Sequence, residues 1–165
     1  MSGEVVGVNQ SIRTDNVDQT TGNAVNSGVG FSISINLVKR VAAGLIKDGR
    51  YDFPYLGIES QSDLPLAAIE ALGLNTYTGA YVVNVTPGGP ADKAGIRGGD
   101  KATSIQGLQA GGDLITAIDG HPVNTFDDML SYLLTNKSPG DTVVLTLLRD
   151  GKSMDVTVTL DKRPS

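Results

Sequence analysis

Glycine interrupts this chain so often that long helices have little room in it. The 165 residues include 21 glycines, nearly double the usual share of ~7%. Glycine removes the steric bar to positive φ and weakens helix interiors, so this punctuation points to tight turns and short strands. The clearest case closes the chain: TVVLTLL (142–148), the turn Arg149-Asp150-Gly151-Lys152 and SMDVTVTL (153–160) read as a β-hairpin. Asp119-Gly120 marks a second tight turn, between DLITAI (113–118) and a returning HPV strand.

The remaining elements follow from period and punctuation. Residues 3–12 read as a strand and 13–28 as a polar loop. In 29–35, Val29, Phe31, Ile33 and Ile35 alternate with small polar residues, the pattern of a half-buried strand. Asn36 is the expected N-cap of a helix from Leu37 to about Lys47, stopped by Gly49. Two strands and one amphipathic helix do not make a finished domain, because so small a sheet needs more strands or a packing partner. Further on, YLGIES (55–60) reads as one short strand and Leu64–Leu72 as a helix with Pro65 in its first turn. Residues 79–86 form a strand, PGGP (87–90) a turn, Pro90–Gly95 a single helical turn, and 97–112 a glycine-bracketed loop or small hairpin. Thr125 and Asp128 have capping-box spacing at the head of a helix running from Phe126 to Asn136. Six or so strands with two or three short helices, none in βαβ order, predict a mainly β fold of α+β class, a small barrel or sandwich.

Composition excludes several kinds of chemistry. The formal charge of −5 disfavours nucleic acid as a partner, because phosphate binding needs a basic face. There is no cysteine, hence no thiolate nucleophile or Cys-based metal site, and His121 is the single histidine. No cofactor and no metal site is expected. No apolar run reaches the length of a membrane span, and no signal peptide is read at the start. Gly88-Gly89 and Gly98-Gly99-Asp100-Lys101 complete no phosphate loop, and Asp92, Asp100 and Asp113 lack EF-hand spacing. Asn26-Ser27-Gly28 is the one nucleophile-like triplet. A loop serine beside glycine is ordinary turn chemistry, and His121 between Gly120 and Pro122 reads as a solvent-facing turn residue. Catalytic residues are therefore expected to be absent, with a minimal serine hydrolase using Ser27 as the alternative. On the 126–136 helix, Phe126, Leu130 and Leu133 share one face at i, i+4 and i+7. That spacing is equally the spacing of a core stripe.

Taken in order, Tyr55-Leu56-Gly57-Ile58, GAYVVNVTPGGPADKAGI (79–96), GGDLITAIDGHPV (111–123), TFDDMLSYLL (125–134) and the closing hairpin resemble a PDZ domain of the circularly permuted bacterial type. The stretch before them resembles the end of the trypsin-like protease domain of HtrA/DegP-type serine proteases, a β-hairpin and helix left from its barrel. The expected division is 1–50 for that remnant and 51–165 for the PDZ domain. In the family the nucleophilic serine lies in a GNSGGP-type motif upstream of the strand matched here by 3–12, so the resemblance predicts a chain without its triad.

The resemblance also implies a peptide-binding site. The backbone N–H groups of Leu56, Gly57 and Ile58 would hold a peptide carboxylate. Tyr55, Glu59, Ser60, Phe126, Leu130 and Leu133 would line the groove for an apolar C-terminus or an exposed hydrophobic segment. Relatives often carry a histidine where Phe126 stands, so an apolar residue is expected at the ligand's third position from its end. In the parent protease such a module recruits substrate or regulates proteolysis, and the compartment implied is periplasmic, extracellular or membrane-tethered. The alternative partner is a second copy, through residues 1–50 or through a PDZ-like surface whose groove is occluded. Val5, Val6, Val8, Phe31, Ile33 and Ile35 would lack the barrel they normally pack into, and such faces recruit other chains or stay poorly ordered.

Overall fold

In a computed structural model, which describes residues 3–12, 16–17, 24–25, 30–61 and 64–164, the chain divides into two compact units, Met1–Tyr51 and Asp52–Ser165. Ser27 lies outside the described residues.

In the first unit, β1 (Gly7–Ile12) pairs antiparallel with β4 (Gly30–Ser34), and a bulge falls between Asn9 and Ser11. Two shorter strands, β2 (Asn16–Val17) and β3 (Ala24–Val25), pair with each other. Helix α1 spans Ile35–Asp48, two residues earlier than the sequence suggests. Its cap is Ser34, whose Oγ accepts the Asn36 N–H at 3.4 Å, so Asn36 is helical instead of capping. A hydroxyl at the strand end reaches the first free amide before Asn36 can. Gly49, at φ 70°, closes the helix with its N–H on the Leu45 carbonyl. No α1 residue is buried, and Val6 and Phe31 are 83% and 51% exposed. The apolar faces of this unit are present but uncovered.

The second unit is built on one antiparallel sheet. Its strands are β6 (Ile58–Gln61), β7 (Ala80–Val85), β10 (Leu114–Ile118), β12 (Thr142–Arg149) and β13 (Lys152–Thr159), in the order β13-β12-β10-β7-β6. The labels between them belong to short pairs: β8 (Lys101–Ala102) on β9 (Gln109–Ala110), and β11 (His121–Pro122) on β10. Strand β5 (Pro54–Tyr55) pairs with β14 (Asp161–Lys162). The sheet is open, with β6 and β13 as its edges, and does not close into the expected barrel or sandwich. Helices α2 (Leu66–Leu72), α3 (Pro90–Lys93) and α4 (Phe126–Asn136) fill the connections.

Inward residues of the strands explain the core. Val143, Leu145 and Leu147 alternate along β12 and are fully buried with Val82, Ile115, Ile118 and Val158. Met129 and Leu133 of α4 and Ala91 of α3 close the cluster. Alternation puts one face of each strand inside, so every second residue contributes. Asp119 and Gly120, at φ 47° and 78°, and Asp150 and Gly151, at 49° and 74°, make the two hairpin turns. Successive positive φ values match the right-handed strand twist.

A buried charge sits in this framework. Asp113 is 0% exposed and is gripped by Arg149, Nε to Oδ1 at 2.7 Å and Nη2 to Oδ2 at 2.6 Å. The Arg97 N–H donates to the same carboxylate at 2.8 Å, and Arg149 also reaches the Gly95 carbonyl at 2.8 Å. The hydrogen bond to Asp113 is the largest influence on Arg149 and raises its pKa above the ordinary value, against burial.

Candidate peptide site

Residues 55–60 do not form one strand. The chain breaks at Leu56-Gly57, where Gly57 takes φ 79°. The break is held from one side: the Leu56 carbonyl accepts the Ala91 N–H at 2.9 Å, and the Gly57 carbonyl accepts the Thr86 N–H at 2.9 Å. Gly89 N–H returns to the Thr86 carbonyl, Asp92 Oδ2 accepts the Gly88 N–H, and the Tyr55 and Thr86 hydroxyls lie 3.0 Å apart. With both carbonyls engaged, the N–H groups of Leu56 and Gly57 have no hydrogen-bond acceptor among the described residues. Ile58 stands opposite Val85, and the adjacent Thr86-to-Gly57 bond makes that a non-hydrogen-bonded pair. The Ile58 N–H therefore turns to the side of β6 away from β7. Three consecutive donors are left at the head of an edge strand.

The helix beside this edge begins with the expected capping box: Asp128 N–H donates to Thr125 Oγ1, and Asp128 Oδ2 accepts the Thr125 N–H. Helix α4 packs against β7 and β10, which leaves β6 at its flank. Phe126 and Ile58 are half-buried against the same core. Leu130 is 39% exposed, whereas Leu133 is 3% exposed and belongs to the core, as Leu56 does. Along β6, Ile58 and Ser60 face inward and Glu59 outward, where its Oε2 accepts from Asn84 Nδ2 at 2.8 Å. Ser60 Oγ is buried without a hydrogen-bond partner.

A further charged cluster lies at the far end of α4. Asp119 accepts from Lys137 Nζ at 2.8 Å, Val144 N–H at 2.8 Å and Tyr132 Oη at 3.1 Å. Burial pushes the Asp119 carboxyl up, but the Lys137 ammonium, the Val144 amide and the Tyr132 hydroxyl together hold it below its ordinary value. A carboxyl lowered on folding stabilises above its unfolded pKa of ~3.9, and that contribution fades as pH falls through the lower folded value. Asp119→Asn is expected to reduce the loss in thermal midpoint between about pH 5 and pH 2. Parallel acid titrations of the two proteins by circular dichroism check this; identical acid limbs would refute it.

His121 is exposed, with its ring 4.9 Å from that of Tyr132. Among the described residues no cluster suits a metal ion, and no helix is long and apolar enough to cross a membrane. Sequence reasoning missed the bracing amides of Thr86 and Ala91. The TPGGPAD segment (86–92) that carries them was visible, but its contact with residues 56–57 is tertiary.

An edge strand headed by a donor-lined turn and flanked by a helix is the architecture of a PDZ domain. The PDZ-domain family model matches residues 54–160, and the chain belongs to that family. Over its whole length it is similar to serine endoproteases of the HtrA/DegP type. It is 33% identical to the periplasmic pH-dependent serine endoprotease DegQ of Escherichia coli, covering 100% of this chain and 31% of the relative. It is 34% identical to a probable periplasmic DegP-like endoprotease of Rhizobium meliloti, covering 100% and 28%. The HtrA-type protease AlgW with a decapeptide superposes with a TM-score of 0.68 at 26% identity, over 99% of this chain and 43% of that one. AlgW with a tripeptide gives 0.66 at 25% identity, over 99% and 47%. The chain thus spans about a third of the length of these curated relatives.

Proposed function

We propose that the 52–165 unit binds the C-terminal segment of a polypeptide as an added strand on β6. Its carboxylate is held by the N–H groups of Leu56, Gly57 and Ile58. The observation that carries this reading is the row of three donors with no acceptor among the described residues, beside the edge strand β6. Strand addition takes its affinity from such backbone groups and its selectivity from neighbouring side chains. Phe126 and Leu130 offer an apolar wall with Ile58 opposite, and Leu133 backs it from the core. Tyr55, Glu59 and Ser60 complete the surroundings. Phe126 has no donor for a ligand hydroxyl, which favours an apolar residue third from the peptide's end. The AlgW structures with tri- and decapeptides support a peptide ligand.

In the longer protein this module recruits or senses substrate for a trypsin-like endopeptidase whose catalytic triad lies outside this chain. The relatives' names support a periplasmic setting. The uncovered faces of the first unit suit contact with the rest of such a protease or with another copy.

Titration of the protein with an apolar free-acid peptide and its C-terminal amide tests the site. Each hydrogen bond to a charged group contributes ~1.5–3 kcal/mol, so the amide is expected to bind at least about tenfold more weakly. Equal affinities would refute the carboxylate assignment.

A further inference from the structure

Beyond the end of β6 lies a cleft of about 370 Å³, between α2 and the N-terminus of α4. We propose that it is a second subsite, taking an apolar side chain from the fifth to seventh residue of the same peptide, counted back from the carboxylate. This rests on the peptide reading above. Position carries the first part of the argument. A peptide with its carboxylate at residues 56–58 runs antiparallel to β6. The four residues of that strand cover ~13 Å at ~3.3 Å per residue, enough for the last four of the ligand. Leu64, which lines the cleft, lies three residues past Gln61 at the end of β6. Its wall includes Gly79, which leads into β7, whose Tyr81 pairs with Gln61 at the end of β6. Its other wall includes Thr125, the cap of α4 next to Phe126. Gly79 N–H bonds the Asn124 carbonyl at 2.8 Å and ties the two walls together.

Chemistry carries the second part. Ile69 and Leu114 are buried in the cleft's lining, Pro65 and Leu74 add apolar surface, and no ionisable group other than the Tyr77 phenol lines it. The polar groups at the α4 end are already engaged: Asn124 and Thr125 N–H both donate to Asp128 Oδ2, and Thr125 Oγ1 accepts from Asp128 N–H. Thr78 N–H and Oγ1 both lie 3.4 Å from Thr76 Oγ1. A cleft that mixes apolar side chains with uncharged polar ones and holds no charged group suits a leucine-like side chain better than a charged one.

Three acetylated free-acid peptides test this by calorimetry on the full chain: Ser-Val-Ala-Val, the same extended at its N-terminus by Ser-Leu-Leu-Gly, and the same extended by Ser-Asn-Asn-Gly. The leucine extension is expected to tighten binding about tenfold or more over the four-residue peptide, and the asparagine extension to add little. In a Thr78→Arg protein the leucine advantage, a ratio measured within one protein, is expected to vanish. Binding of the short peptide with no gain from leucine would overturn the subsite and leave the carboxylate site standing. An equal gain from asparagine, or a leucine gain that survives Thr78→Arg, would place the extra contact elsewhere and overturn it too. No binding by any of the three would overturn both readings.

Discussion

Replacing Arg149 by Met is expected to destabilise the 52–165 unit by about 3–5 kcal/mol, because it strands a fully buried carboxylate. Asp113 would keep the Arg97 amide as donor but lose both guanidinium bonds, while Gly95 loses its partner. For a domain of this size that loss lowers the thermal midpoint by roughly 10 °C or more. The double variant Asp113→Asn/Arg149→Met removes the charge together with its counter-charge and is expected to recover part of the loss. Thermal unfolding followed by circular dichroism separates the cases. If Arg149→Met alone melted like the parent protein, the pair would have no part in holding β12 to the segments around residues 95–97 and 113.

The second large effect concerns binding. Gly57→Val places a β-branched side chain at φ 79°, with its Cβ 3.3 Å from Tyr55 Cε1 and 3.4 Å from Pro90 Cδ. Left-handed backbone costs roughly 1–2 kcal/mol for a residue with a Cβ and is worst for branched ones. Relief requires the turn to rotate, which swings the N–H groups of Gly57 and Ile58 away from a common point. Losing two charge-assisted hydrogen bonds corresponds to a loss of affinity of about a hundredfold or more for a free-acid peptide. Peptide titration alongside a melting curve gives the answer. Parent-like affinity in a folded Gly57→Val protein would remove the turn from the binding site.

Much of the fold was legible because its signals are local. The capping box of α4 depends on Thr125 and Asp128 alone, and the Asp-Gly turns need only positive φ at adjacent residues. The α1 cap was misplaced because Ser34 and Asn36 are both competent, and the strand's exit direction chooses between them. Residues 55–60 read as a continuous strand because Tyr55, Leu56 and Ile58 are apolar. The turn at Gly57 exists because distant amides of Thr86 and Ala91 draw its carbonyls aside. The pairing of Asp113 with Arg149 spans 36 positions and left no mark in the pattern.

What the amino-acid order determined on its own is the longer strands and helices, their punctuation and the absence of cysteine. These follow from backbone sterics, side-chain period and composition. Only the tertiary structure decided that the sheet stays open at β6 and that, among the described residues, three donors at its head meet no acceptor. It also decided that Leu133 serves the core while Leu130 remains half in solvent. Such outcomes depend on which distant groups compete for each hydrogen bond and each buried surface, and no local run of residues contains that competition.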